Sequence, residues 1–431
     1  MAYGPDPRAP LARARLSGGE HTQVARSLKE PAARSLEYWA RVRPDEPALY
    51  SSTGALTYFD WNDYADLLAD AMAERGLGSG DVIALFCHNR MEWAVTALAA
   101  AKIDARLFCL PPGLSAPILR DRLIAGRVSA VIAGDCDPAV VVQALMGLPL
   151  LLSATMDAPH PGLFSFWDLF GPAAPPRFGH VQPSFIAWTA GTRGAAQAVA
   201  LPRRRAAPAS VSRPPMPEHG ASLVTVPLHR TWGAGQFWEA LHAGRAIALM
   251  GRFDPFEALD TIRQRHITSW RTLPEHFQRL SALPAQLLTG GALSSLKDVV
   301  VGGAYVSAPI RSWIMATFGD IVSEAYGSTE AGLITVMPAG RQNERPGSSG
   351  RAIKGVMVEI RGPDGNVLQG AAIGEIWART PRSLEADYTS HGAIRARRDD
   401  RGFIPTGDYG RVDADGYLYI ELSPQVARKA G

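Results

Sequence analysis

The residues best suited to chemistry fall in a few short runs. TAGTRGAAQAV, residues 189–199, sets Gly191 and Gly194 beside Thr189 and Thr192. Glycines let backbone N–H groups close on an anion, and threonine hydroxyls add donors, so the run suits phosphate oxygens. It is not the GxxxxGK[ST] loop, and Gln197 stands where such loops carry a lysine; a turn without ligand fits the same residues. EAYGSTEAG, 324–332, joins Tyr326, Gly327, Thr329 and Glu330. Its carboxylate can hold Mg²⁺ against phosphate oxygens; equally, Ser328 or Thr329 can cap a helix with Glu330 in its first turn. FIPTGDYGRVDADGYLYI, 403–420, offers Asp408, able to accept hydrogen bonds from two ribose hydroxyls. Its DADG reads as a hairpin turn, since the spaced ligands and closing Glu of an EF-hand are missing. VPLHRTWG, 226–233, brings His229, Arg230 and Trp232 together. An Arg there can pair with a substrate carboxylate, or lie on the surface beside a buried Trp.

The elements that must hold these runs follow from hydrophobic period. Trp61, Tyr64, Leu67, Leu68, Ala71 and Met72 recur at helical spacing, Gly76 and Gly78 stop the helix, and VIALF reads as a buried strand. MEWAVTALAAAK is the next helix. After residue 220 the alternation returns: ASLVTVPL, RAIALM and KDVVVGGA read as strands with GQFWEALHAG and DPFEALDTIRQRH as helices. The expected fold is α/β: two doubly wound, mostly parallel sheets with flanking helices. From about 345, GVMVEIRGPDGNVL, GEIWAR and GYLYI suggest a small antiparallel, β-barrel-like unit. The expected divisions are a loose tail at 1–30, α/β units at 31–180 and 181–340, a β unit at 341–420, and a hinge remnant at 421–431.

Bulk properties narrow the class. The chain has 431 residues, 46% hydrophobic and 20% charged, with a net charge of +3. That near-balance argues against a dedicated nucleic-acid or membrane binder. Cys87, Cys109 and Cys136 are too widely spaced for zinc or a disulfide scaffold, and a reducing cytoplasmic setting is expected. No apolar run approaches the ~20 residues of a membrane span, and residues 1–30 have no apolar signal-peptide core.

Taken in order, the phosphate run, GGA (302–304), AYGSTE, GEIWAR (374–379) and TGDYGRVDADGYLYI resemble the adenylate-forming enzymes. These include acyl-CoA synthetases, peptide-synthetase adenylation domains and luciferases. The likeness spans about residues 31–420. It implies that a small carboxylic acid is joined to AMP from ATP, with Mg²⁺, and then passed to a thiol of CoA or of a carrier protein. By that resemblance Thr189, Gly191, Thr192 and Gly194 hold the β- and γ-phosphates. Gly302, Gly303 and Ala304 wall the adenine and acyl group, Tyr326 and Gly327 adjoin the adenine, and Asp408 holds the ribose. Thr192, Thr329 and Glu330 meet phosphate, with Glu330 also binding the metal. Arg230, Trp232, Gly303 and Gly327 border the acid.

The chain also departs from its likeness. Gln197 and Ala196 replace the loop's lysine and proline, and PRRRAAPAS (202–210) replaces a Thr-His helix start. Arg193, Arg203, Arg204 or Arg205 can restore the charge, or form a solvated face. ELSPQVARKAG closes the sequence where the family has a Gly-Arg hinge and a small C-terminal domain bearing a catalytic lysine. Two functions are therefore expected: acid activation, by residual catalysis or with such a domain supplied in trans, or non-catalytic nucleotide and acyl binding within a biosynthetic complex.

Overall fold

The computed structural model describes residues 35–171, 184–188, 198–201, 220–289, 291–381 and 398–421. The tail at 1–30, the hinge remnant beyond Glu421, and Thr189, Gly191, Thr192, Arg193, Gly194, Ala196, Gln197, Arg203, Arg204 and Arg205 lie outside them.

Helix α1 (Leu36–Val42) leads into hairpin strands β1 (Pro47–Ser51) and β2 (Gly54–Thr57), then α2 (Tyr58–Glu74). Thr57 starts α2 with a reciprocal cap: its Oγ1 accepts from the Asp60 amide, and the Asp60 carboxylate accepts from the Thr57 amide. Next come β3 (Val82–Phe86), α3 (Met91–Lys102), β4 (Arg106–Leu110), α4 (Ala116–Ala125) and β5 (Ala130–Ala133). Then follow α5 (Pro138–Leu145), β6 (Leu152–Thr155), β7 (Phe164–Ser165), β8 (Ser184–Trp188) and β9 (Ala198–Leu201). Strands β3–β9 form a seven-stranded sheet in the order β7-β6-β5-β3-β4-β8-β9, parallel except for β9.

The second half continues with β10 (Ala221–Val224), α6 (Thr231–His242), β11 (Ala246–Leu249), α7 (Pro255–Gln264) and β12 (Ile267–Thr272). It ends its α/β alternation with α8 (Pro274–Ser281), β13 (Asp298–Gly302), α9 (Ala308–Phe318), β14 (Val322–Ser328), β15 (Gly332–Met337) and β16 (Arg351–Ala352). These strands make a nine-stranded sheet, β16-β15-β14-β13-β12-β10-β11-β1-β2, parallel at its centre. The remaining strands β17 (Met357–Arg361), β18 (Gly374–Arg379), β19 (Ile404–Val412) and β20 (Leu418–Glu421) form an antiparallel four-stranded sheet. The α/β class and the small antiparallel unit are those expected from the hydrophobic periods.

Sheet membership does not follow the boundaries drawn at 180 and 340. Strand β1 pairs in parallel with β11 across some 200 residues, β8 joins the first sheet beside β4, and β16 lies beyond 340. Such pairings depend on which strand edges meet in space, which periodicity does not encode.

Strand parity explains the layers. Ile83 and Leu85 face a core shared with Leu49, Val224, Ile247 and Leu249 of the large sheet, filled by α2, α3 and α6. There Phe237 meets Trp61 and Trp93 edge-on, at 5.8 and 5.1 Å between centroids. The alternate residues Val82, Ala84 and Phe86 face α4 and α5, and Leu223, Trp270, Val299 and Val301 face α7, α8 and α9.

Candidate active site

In open parallel sheets the carboxyl ends of the strands are where backbone amides and helix starts converge on a ligand. That edge of the large sheet carries most of the described residues picked out by the sequence. Strands β13 and β14 run parallel with Gly302 opposite Ala325, which sets the GGA turn beside Tyr326. Gly303 has φ +75°, a left-handed conformation that disfavours side chains. The start of α6 brings Trp232 across both glycines. A β-carbon at Gly302 would come within 3.2 Å of Trp232 Cζ2, and one at Gly303 within 3.4 Å of its Cδ1. The indole thus lies along bare backbone, and its buried Nε1–H has no hydrogen-bond partner among the described residues. The Arg271 guanidinium sits 5.9 Å from that ring and pairs with Glu239. Gly303 and Ala304 are exposed.

Residues 329–331 are the loop of the β14–β15 hairpin, so the alternative of a capped helix start at Ser328 or Thr329 does not form. Ser328 Oγ instead accepts from the Ala331 amide at 3.0 Å, a local turn closure, and Thr380 Oγ1 donates to the Ala331 carbonyl. Thr329 and Glu330 are half-buried in this loop. Gly327 is needed by the hairpin: a β-carbon there would fall 2.2 Å from the Gly332 carbonyl oxygen. Upstream in β14, Glu324 is buried, accepts from Arg311 Nε and Nη2 at 3.0 Å each, and from Ser349 Oγ at 2.7 Å. This clamp fixes the strand that presents Tyr326.

Tyr326 packs into the core of the small sheet and reaches Asp408 on β19; their atoms are 2.9 Å apart. Two residues named for opposite ends of a nucleoside are therefore in direct contact. Thr406, beside them, was not singled out by sequence. It sits two positions before Asp408, so the strand period puts both on one face, and that spacing is the signal that could have found it.

Arg230 is the exposed N-cap residue of α6 and forms no ion pair among the described residues. Its charge acts on two histidines. Burial first, then Arg230 and His88, push His229 down to about 4. Burial, then Arg279 and Arg230, push His276 down to about 3. His276 is stacked on Phe253 at 4.1 Å, and its Nδ1 lies 2.9 Å from Thr272 Oγ1 and 3.2 Å from Thr225 Oγ1. Both imidazoles are neutral at neutral pH.

Among the described residues no helix is long and apolar enough to cross a membrane. The chain matches the AMP-binding enzyme family over residues 36–388. It is 29% identical over 403 residues to an indoleacetate–CoA ligase from Aromatoleum aromaticum, covering 89% of this chain and 76% of that one. With 4-coumarate–CoA ligase 3 from Oryza sativa subsp. japonica it shares 24% identity over 384 residues, 84% of this chain and 68% of the relative. A crystal structure of an anthranilate CoA ligase in complex with anthranoyl-AMP superposes with a TM-score of 0.80 at 20% identity, covering 92% of this chain and 79% of that chain, a likeness of fold. The fold, the ordered motifs and the family match agree: the chain belongs to the AMP-binding enzymes, the adenylate-forming family that includes AMP-forming acid–thiol ligases.

Proposed function

We propose that this chain activates a flat aromatic carboxylic acid as its acyl-adenylate, using ATP, and passes the acyl group to CoA. The observation that carries the reading is the Trp232 indole lying along Gly302 and Gly303, on the same sheet edge as Tyr326 and Glu330. An indole laid on bare backbone makes a flat apolar wall, which favours planar acyl groups through stacking and dispersion. The names of the relatives, ligases of indoleacetate and of 4-coumarate, point the same way.

In this reading the acid's carboxylate oxygen attacks the α-phosphorus of ATP and pyrophosphate leaves. The chain contributes position and charge rather than a nucleophile. Thr189, Gly191, Thr192 and Gly194 hold the β- and γ-phosphates, Thr329 adds a donor, and Asp408 accepts from the ribose hydroxyls. No group of three or more metal-binding side chains occurs among the described residues. A single Glu330 carboxylate suits Mg²⁺, which usually takes one or two carboxylates and completes its shell with phosphate oxygens and water. Bound there, Mg²⁺ would neutralise phosphate charge.

Gln197 supports a second reading, a nucleotide-binding relative without turnover, since it removes a charge from the phosphate loop. Exchange of labelled pyrophosphate into ATP across a panel of aryl acids separates the two. Magnesium-dependent exchange is expected with planar aryl acids, falling ~10²–10³-fold in Glu330→Ala. ATP binding without exchange for any acid would leave the second reading standing and remove the first.

A further inference from the structure

At the site the Tyr326 hydroxyl reaches from the large sheet to two side chains of the small one. Tyr326 belongs to β14 of the large sheet, yet its ring, 8% exposed, packs with Ile334, Ile360, Ile376 and Leu418. Its hydroxyl oxygen lies 2.9 Å from Thr406 Oγ1 and 2.9 Å from Asp408 Oδ2, both on β19 of the small sheet. A phenol has one proton to give. Thr406 donates its own proton to the Ile376 carbonyl at 2.9 Å, so towards Tyr326 it is an acceptor only. Of the two acceptors the carboxylate is the stronger, and the phenolic proton goes mainly to Asp408. The Asp408 amide in turn points to Thr406 Oγ1 at 3.3 Å, which ties the carboxylate's own backbone into the same cluster.

The terminal torsion of an aspartate is broad and roughly two-fold, so a half-buried carboxylate samples several orientations unless something holds one oxygen. We propose that Tyr326 is a positioning residue: its hydroxyl orients the Asp408 carboxylate to accept hydrogen bonds from the ribose 2′- and 3′-hydroxyls of ATP. This rests on the assignment of Asp408 to the ribose made above. A carboxylate offers about four acceptor positions, so the Tyr326 bond and the ribose bonds are compatible. The bond also crosses from the large sheet to the small one, so the position of the small sheet and the geometry of the ribose contact are coupled.

Tyr326→Phe removes the hydroxyl and keeps the ring's packing. Calorimetric titration of the intact chain with ATP, 2′-deoxy-ATP and 3′-deoxy-ATP reads the consequence. The wild-type chain is expected to bind ATP about tenfold or more tighter than either deoxynucleotide, as charged hydrogen bonds of this kind are worth at least that factor. In Tyr326→Phe the affinity for ATP falls about five- to tenfold and that for either deoxynucleotide falls less, because one of the two contacts served by the preorganisation is already missing, so the ratio narrows. Asp408→Ala removes the discrimination altogether. A Phe variant that keeps the wild-type ratio while Asp408→Ala loses it overturns the positioning role and leaves the ribose assignment intact. A wild-type chain that binds ATP and both deoxynucleotides equally overturns the ribose assignment and the positioning role together. Should the Phe variant be unstable, Thr406→Val is the control, since it disturbs the same cluster and leaves the Tyr326–Asp408 bond in place. It is expected to keep the ratio; a ratio that narrows in step with lost stability in both variants marks a structural role and overturns the proposal.

Discussion

At the scale of the residue, charge and burial decide behaviour more than residue type. His276 illustrates this. Stacked on Phe253 and held by two threonine hydroxyls, it is pushed down to about 3, against 6.5 for a free imidazole. Between those values the unfolded chain binds a proton that the folded chain refuses, so stability rises with pH through that window and is lost as pH falls below about 6.5. His229, pushed down to about 4, adds to the loss with the same sign. Unfolding free energies from denaturant titrations at pH 7.5 and 5 should differ by about 2 kcal/mol from His276 alone, and His276→Gln should flatten that slope. The sequence named Tyr326 and Asp408 separately; that they share a hydrogen bond depends on the docking of two sheets, and no local pattern carries it.

At the scale of the element, the β14–β15 hairpin presents Tyr326 and Glu330 together, and a glycine makes it possible. The backbone at Gly327 is so close to the Gly332 carbonyl that a methyl group would overlap it. Gly327→Ala should therefore splay the hairpin, destabilise the chain by about 2–3 kcal/mol and weaken ATP binding, checked by denaturant unfolding and calorimetry on the same preparation. Elements with strong periods, such as α3 over Met91–Lys102 and the buried strand β3, were legible from sequence because their apolar faces leave one stable arrangement. The YGSTE run was not. Serine, threonine and glutamate favour a helix start locally, and the hairpin forms because β14 and β15 gain ladder hydrogen bonds and a clamp at Glu324.

At the scale of the molecule, the two α/β units share one core through α2, α3 and α6, and a buried side chain couples their loops. Asn89, after β3, donates to the Val226 carbonyl at 3.0 Å and accepts from the Leu228 amide at 2.8 Å, just before α6. Asn89→Ala strips two buried backbone groups of their partners, and a loss of about 2–4 kcal/mol is expected in urea unfolding, with both units melting in one transition. A variant that unfolds in two steps would show the units to be independent. The sequence by itself determined the class of elements, the order of motifs and the family chemistry they imply, since each element and motif is written in the residue types of one short stretch. Only the tertiary structure decided that β1 completes the distant sheet, that Trp232 lies on Gly302 and Gly303, and that Tyr326 holds Asp408. Those contacts join residues tens to hundreds of positions apart, and they form because burying apolar faces brings particular strand edges and side chains together, a global balance that no local spacing records.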